Sequence, residues 1–374
     1  MSMKVFQLAN GYYDSSLYDS LLSALSNYER QNTVYVPIRR NSSNIIIEES
    51  KKDLKYILIQ DKCFSTIDRF LYYSKQRNIF NGIKSKVNID EYQCVHAHTL
   101  FSAGYIAMQI KMEFGLPYIV AVRNVDLNIF FRKMVHLRNK GVQVLKEADK
   151  VVFLSSVYKE AVIEHYVPKK FREEIYKKSV VIPNGINDIF LDNVQNRKSL
   201  SEGKVSIIYA GDIDNNKNIS MTVDACRLLI KKGYHCTFNV VGEILEMPYS
   251  SFLNEDFIHY FPKCSQKELI KYYRANDIFV MPSHMETFGM VYAEAMSQGL
   301  PVIYTRGQGF DGHFDDGVVG YSVSDKDAGE LVEKIEMIIK DYDDMSKRCI
   351  EGSKRFNWKK IAEKYKDMYM EITA

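Results

Sequence analysis

Short apolar runs without polar alternation recur along the chain, separated by longer stretches in which apolar residues return every three or four positions. Runs at 5–8, 33–36, 94–97, 118–122, 151–154 and 180–182 predict strands covered on both faces, as in a parallel sheet. Stretches 100–114 and 129–148 predict helices between them. Pro183-Asn184-Gly185 then punctuates the pattern, and residues 192–204 carry few large apolar side chains. After this polar stretch the pattern restarts. Strands are predicted at 205–209, 238–241, 257–261, 278–280 and 301–304, with helices at 219–232, 266–275, 290–298 and 326–339. Two successive arrays of this kind predict an α/β protein of two doubly wound, Rossmann-like domains, each with its ligands at the carboxyl ends of the strands. The expected division is a first domain at 1–183, a linker at 184–204, a second domain at 205–352 and a terminal helix at 353–374.

Composition narrows the class. With 374 residues, 46% hydrophobic and 26% charged, the chain is long enough for two cores and too apolar for a disordered or fibrous protein. A membrane-spanning helix needs about 20 apolar residues, and the apolar runs here are far shorter. The first residues lack the apolar core and small-residue cleavage site of a signal peptide. Six scattered cysteines with no CxxC pair fit reduced thiols in a cytoplasmic protein, not a zinc site or a disulfide framework. The net charge of +3 hides an asymmetry: residues 1–183 carry 27 Lys+Arg against 18 Asp+Glu, a net of +9, and the remainder carries 23 against 29. A basic first half suits an anionic lipid surface, an acidic substrate or a nucleic acid. No nucleic-acid-binding module accompanies the charge, so no nucleic-acid partner is expected. Residues 69–80 interleave Arg69, Lys75 and Arg77 with aromatic rings. That pattern suits a peripheral contact with the inner face of a membrane and equally suits a helix with a solvated basic face.

The segment 276–303, NDIFVMPSHMETFGMVYAEAMSQGLPVI, concentrates the chemistry. A strand runs into the loop 282–288, and Gly289 opens a helix. Glu286 then lies on the strand-end loop and Glu294 in the first turns of the helix. The backbone N–H groups of Phe288, Gly289 and Met290 point to an anion site reinforced by the helix dipole. One carboxylate beside such a site can hold sugar hydroxyls and a second can grip a ribose diol. Two surface glutamates on an amphipathic helix are the plainer alternative.

Pro282-Ser283, Glu286, Phe288-Gly289, Glu294-Ala295-Met296 and Gly299-Leu300-Pro301-Val302 together resemble the signature of the retaining glycosyltransferases of family 4, with its Glu-x7-Glu motif and GT-B fold. The resemblance extends to residues 181–186, 239–242, 267–277 and 356–365, and more loosely to His96-Ala97-His98 and 151–155. It implies two domains facing across a cleft, with a terminal helix crossing back to the first. It implies a donor site in the second domain for a nucleotide-diphosphate sugar, UDP- or GDP-linked, and a glycan or lipid-linked acceptor on the first. Cell-surface polysaccharide or glycoconjugate synthesis is the implied context. Lys217, in the loop that follows Tyr209-Ala210-Gly211, stands where the family brings a lysine to the donor diphosphate. No metal cofactor is then required. Gly11, after the first strand, matches a glycine-bearing loop between donor and acceptor, and is equally an ordinary turn residue. His98, at a strand end, is the catalytic candidate of the first domain, with a packing histidine as the alternative.

Two positions depart from the pattern. Asp212 occupies the place of an arginine, and a carboxylate repels a diphosphate unless it turns away or a cation such as Arg306 compensates. Arg123-Asn124 replaces a histidine that contacts the donor sugar, leaving Arg123 and Asp126 as candidates for the acceptor side. Asp212-x-Asp214 also fits the metal-holding motif of GT-A glycosyltransferases. A non-catalytic sugar-nucleotide-binding protein on the same fold is the remaining alternative.

Overall fold

A computed structural model describes residues 3–14, 17–27, 32–41, 54–69, 71–195, 199–245 and 255–374. Residue 70, within the basic–aromatic segment, and residues 196–198, within the expected linker, lie outside the described residues. The chain divides into two compact units: Met1–Leu154, Lys159–Pro183 and Trp358–Ala374 form the first, and Ser155–Tyr158 with Asn184–Asn357 form the second.

The first unit holds a seven-stranded parallel sheet: β1 (Val5–Leu8), β2 (Thr33–Arg39), β3 (Ile57–Phe64), β4 (Cys94–Ala97), β5 (Tyr118–Val122), β6 (Lys150–Phe153) and β7 (Ser179–Val181), in the order 3-2-1-4-5-6-7. The second unit holds a six-stranded parallel sheet: β8 (Lys204–Ala210), β9 (His235–Val241), β10 (Ile258–Phe261), β11 (Ile278–Met281), β12 (Val302–Thr305) and β13 (Gly320–Val323), in the order 10-9-8-11-12-13. Both sheets are Rossmann-like, and in each the strand order reverses once, between β1 and β4 and between β8 and β11. Such a switch point opens a crevice at the strand ends, because the two connections leave it in opposite directions.

The central strands are wholly buried, which explains why they read as plain apolar runs. Two strands escaped that criterion. β3 lies at a sheet edge, has exposed and intermediate positions, and carries Gln60-Asp61-Lys62 in its middle. β13 is the opposite kind of edge, four residues long and opened by a glycine. The helix expected over 129–148 is interrupted. Residues Asp126–Phe131 form wide π turns, Met134 departs from helical geometry at ψ 66°, and a regular helix resumes only at Arg138–Glu147. At the break the Arg138 guanidinium donates to the carbonyls of Phe131 (2.6 Å) and Arg132 (3.2 Å), which a continuous helix would have paired with the next turn.

The terminal helix Trp358–Thr373 packs on the first sheet, burying Trp358, Ile361, Tyr365 and Tyr369 against Val5, Ile119, Val152 and the helix Leu17–Leu25. Among the described residues no helix is long and apolar enough to cross a membrane.

Candidate functional site

The strands flanking the switch point of the second sheet, β8 and β11, release the two loops that carry the candidate residues. After β8 the chain makes a short turn, Asn215–Lys217, whose first amides need an acceptor. The Asp214 carboxylate supplies it, receiving the Lys217 N–H at 3.0 Å. The turn closes on Asn218, held at φ 54°. That left-handed geometry is tolerated because its buried side-chain amide donates to the carbonyls of Pro282 (3.0 Å) and Asp325 (2.9 Å). Asp214 is thus occupied in a local cap, and among the described residues no group of three or more His, Cys, Asp or Glu is placed to hold a metal ion.

This turn aims Lys217 at Glu286. Their charged atoms meet at 2.8 Å, with side chains only 20% and 15% exposed. Partial burial makes the pair stronger than a surface ion pair and makes either partner costly to leave alone. Glu286 is braced from both neighbouring strands. Its N–H donates to Gln308 Oε1 (3.0 Å), its carbonyl accepts from Gly309 N (2.9 Å) and from the Tyr158 hydroxyl (2.7 Å), and all of these lie in the second unit. A Cβ on Gly309 would strike the Thr287 backbone, so this close approach requires glycine. On the β8 side, Asn216 pairs with Met285 through both ends of its amide, Nδ2 to the carbonyl at 2.9 Å and Oδ1 from the N–H at 3.0 Å. Its own carbonyl accepts from His284 N at 2.8 Å. Asn216 therefore sets the register between the loop of Lys217 and the loop of Glu286. Asn216→Ala is expected to lower kcat about tenfold while leaving the melting temperature within a few degrees, the scale of about 1.4 kcal/mol for two lost hydrogen bonds. Steady-state kinetics with a thermal melt checks this, and unchanged kcat would remove the register role.

Beyond Glu286, Gly289 sits at φ 70° and opens the helix Met290–Ser297. Tyr292, which donates to the Met281 carbonyl at 2.5 Å, fills the space where a side chain on Gly289 would stand. Among the described residues, the N–H groups of Phe288, Gly289 and Met290 have no acceptor, so the helix start presents three free donors beside Lys217 and Glu286. Glu294 follows in the second turn, buried at 9% exposure. Burial pushes its carboxyl up to about 7, and a hydrogen bond from Tyr273 offsets part of that rise.

A pocket adjoins this helix at the ends of β8 and β9. Its lining includes Gly211, Asp212, Gly242, Lys263, Leu269 and Val291. Asp212 is paired here with Lys263 at 3.4 Å. Arg306 does not compensate for it: that guanidinium is bound by Glu330.

Residues 192–356 match the family described as glycosyl transferases group 1. Over 306 residues the chain is 24% identical to a glycosyltransferase of Methanocaldococcus jannaschii whose function is uncharacterised, covering 79% of this chain and 81% of that one. The lipopolysaccharide outer core galactosyltransferase WaaB superposes with a TM-score of 0.74 at 15% identity, covering 99% of both chains. The Anabaena protein HepE, solved in complex with UDP-glucose, superposes with a TM-score of 0.69 at 16% identity, covering 99% of this chain and 100% of that one. The chain has the GT-B glycosyltransferase fold.

With a GT-B architecture of two parallel sheets, the GT-A alternative for Asp212 and Asp214 has no scaffold to rest on. The first GT-B unit corrects other expectations. His98 is buried without exposed surface, its Nε2 on Gln7 Oε1 at 2.9 Å and its ring tilted against that of His96 with centroids 4.1 Å apart. Burial holds its imidazole well below the usual histidine range. A group that acts on substrate needs surface to meet it, so His98 is a core residue. Asp126 is likewise buried, accepting the amides of Leu100, Phe101 and Arg123 at 2.9–3.0 Å, and it ties loops together without lining any acceptor surface. Gly11 stands at the end of β1, immediately before the turn Tyr12–Asp14, at the switch point of the first sheet. Asn216, Asn218, Gln308 and Lys263 went unnoticed in the sequence, because neutral amides and a lone lysine carry no motif until the loops meet.

Proposed function

We propose that the chain is a retaining glycosyltransferase of the family 4 type. It would transfer a sugar from a UDP- or GDP-linked donor to a glycan or lipid-linked acceptor in cell-surface polysaccharide or glycoconjugate synthesis. The observation that carries this reading is the Lys217–Glu286 pair at 2.8 Å beside three free amides at a helix start, all at the switch point of the second sheet. Lys217 and those amides neutralise the departing diphosphate, so the charge that develops is met by groups already in place. Glu286 holds hydroxyls of the transferred sugar, and Glu294 accepts from the ribose diol. Gly211 and its pocket receive the rest of the nucleoside. The acceptor attacks on the face the leaving group vacates, which retains configuration. Similarity to a protein solved with UDP-glucose supports a nucleotide-sugar donor, and similarity to WaaB supports a glycoconjugate acceptor. The expected place of action is the cytoplasm, at the inner face of the membrane.

The deciding experiment incubates the chain with UDP-, GDP- and ADP-sugars after exhaustive EDTA treatment and measures nucleoside diphosphate release. Release with one donor class, and a product anomer matching the donor by NMR, is expected. Donor binding without release identifies a non-catalytic sugar-nucleotide-binding protein instead, and an inverted anomer overturns retention.

Glu294 adds a pH dependence. Ribose hydroxyls donate to a carboxylate, so donor binding favours the ionised form of a group whose carboxyl stands at about 7. Donor affinity is expected to rise up to about tenfold between pH 6 and 8, and Glu294→Gln should flatten the profile. The sign for stability is opposite. A folded value raised above 4.5 gives stability that is complete below 4.5 and lost as pH rises through about 7. Calorimetric titration at several pH values checks the binding claim.

A further inference from the structure

We infer that the donor of this chain carries a guanine base, read jointly by Asp212 and Lys263 in the pocket at the ends of β8 and β9. The inference rests on the proposed nucleotide-sugar donor and names its base.

Asp212 is the residue that the diphosphate chemistry leaves unused, since a carboxylate in the loop before Lys217 repels phosphate. The structure gives it other company. Its carbonyl accepts from the Tyr209 hydroxyl at 2.5 Å, which fixes the backbone, and its Oδ1 lies 3.4 Å from Lys263 Nζ. Both side chains line the pocket and stay open to a ligand, at 46% and 65% exposure. The other walls are chiefly apolar, with Ala210, Val241, Leu269 and Val291, and suit a flat ring.

The pocket floor offers a base little to read. A Cβ on Gly242 would stand 1.8 Å from the Gly211 carbonyl oxygen, so the ends of β8 and β9 approach closely there. The Gly211 N–H is spent on the Val241 carbonyl and the Gly242 N–H on the Phe261 carbonyl, both at 3.0 Å. The Gly242 carbonyl accepts from the Tyr260 hydroxyl, also at 3.0 Å. Cys264 adds only a weakly bonding thiol. Asp212 and Lys263 are then the strong hydrogen-bonding side chains of the lining, and among the described residues Asp212 Oδ2 has no partner.

Taken from the ammonium to the carboxylate, this pair presents a donor followed by two acceptors. The pairing edge of guanine is the complement: O6 accepts, and the N1–H and the 2-amino group donate. Uracil presents a carbonyl, an N–H and a second carbonyl, so its second carbonyl meets a carboxylate oxygen with no proton between them. Adenine presents an amino group followed by a ring nitrogen that accepts, and the carboxylate repels that lone pair. The pair therefore favours guanine and penalises both other bases, because an unmatched polar group costs binding.

The test titrates the full chain with GDP, UDP, ADP and inosine diphosphate by calorimetry. GDP is expected to bind about 10- to 100-fold more tightly than UDP or ADP, the scale of one bidentate base contact. Inosine diphosphate, which lacks the 2-amino group, should fall between. Asp212→Asn turns one acceptor into a donor. It should weaken GDP about tenfold and strengthen xanthosine diphosphate, which has a carbonyl in place of the 2-amino group, by a similar factor. A merely structural role for Asp212 predicts no such exchange. Lys263→Met should weaken GDP several-fold. Both side chains are substantially exposed, so thermal melts of the variants should match wild type within a few degrees. UDP or ADP binding as tightly as GDP overturns the inference and leaves the transferase reading standing. So does an Asp212→Asn protein in which every diphosphate keeps its affinity or loses it alike. Binding of none of these diphosphates strikes the nucleotide-sugar reading itself, and the inference with it.

Discussion

Lys217→Ala is expected to cost about 2–4 kcal/mol of transition-state stabilisation, roughly a 30- to 1000-fold fall in kcat/KM for donor turnover. Two losses combine in it. In the proposed mechanism the leaving diphosphate loses a fixed positive charge, and Glu286, only 15% exposed, loses its partner. The fold should survive, because Lys217 closes a three-residue turn and contributes nothing to the strand cores. Asp214→Ala is the control. It removes a cap on that turn, worth about 1 kcal/mol of local stability, and should lower activity only a few-fold. Steady-state kinetics of the two variants, each with and without EDTA, makes the measurement. If chelation abolished activity and Asp214→Ala were the more damaging change, the role assigned to Lys217 would be wrong.

Glu286→Gln should cut turnover about 100- to 1000-fold with donor KM within a few-fold of wild type. The substitution keeps the shape of the side chain and its place among Gln308, Gly309 and Tyr158, whose contacts go to the backbone of residue 286. What disappears is the negative charge that faces Lys217 and, in the proposed mechanism, the reacting sugar. Glu294→Ala should show the complementary pattern, raising donor KM more than it lowers kcat, because its carboxylate is assigned to binding. Comparing kcat and KM across the two variants separates the roles. Wild-type kinetics in both would sink the site assignment.

Much of this was legible in the residues. Burial on both faces makes the central strands apolar without alternation, so β1, β4, β5, β8 and β11 are visible as runs. Edge strands β3 and β13 answer to a different environment, with one side open, and their polar or glycine-opened sequences do not stand out. Helices follow the same logic. The Gln266–Ala275 helix is visible as a periodic stretch, and in the structure it starts at a capping box of Ser265 and Glu268, a local device. The break at Met134, where the Arg138 side chain reaches back to the Phe131 carbonyl, is recorded by no periodicity.

The sequence by itself determined the two α/β arrays, the loop that bears Glu286 and the glycine that opens the helix toward Glu294, because strand burial, turn chemistry and helix starts are set by neighbours along the chain. Only the tertiary structure decided that Lys217 meets Glu286, that Asn216 registers their loops, and that Asp212 answers to Lys263 and not to Arg306. It also moved His98 and Asp126 from candidate surface to core. The reason is physical. A side chain's charge partner, its desolvation and its exposure depend on strands that lie side by side in the sheet yet tens of residues apart in sequence, and no local pattern encodes which of them will meet.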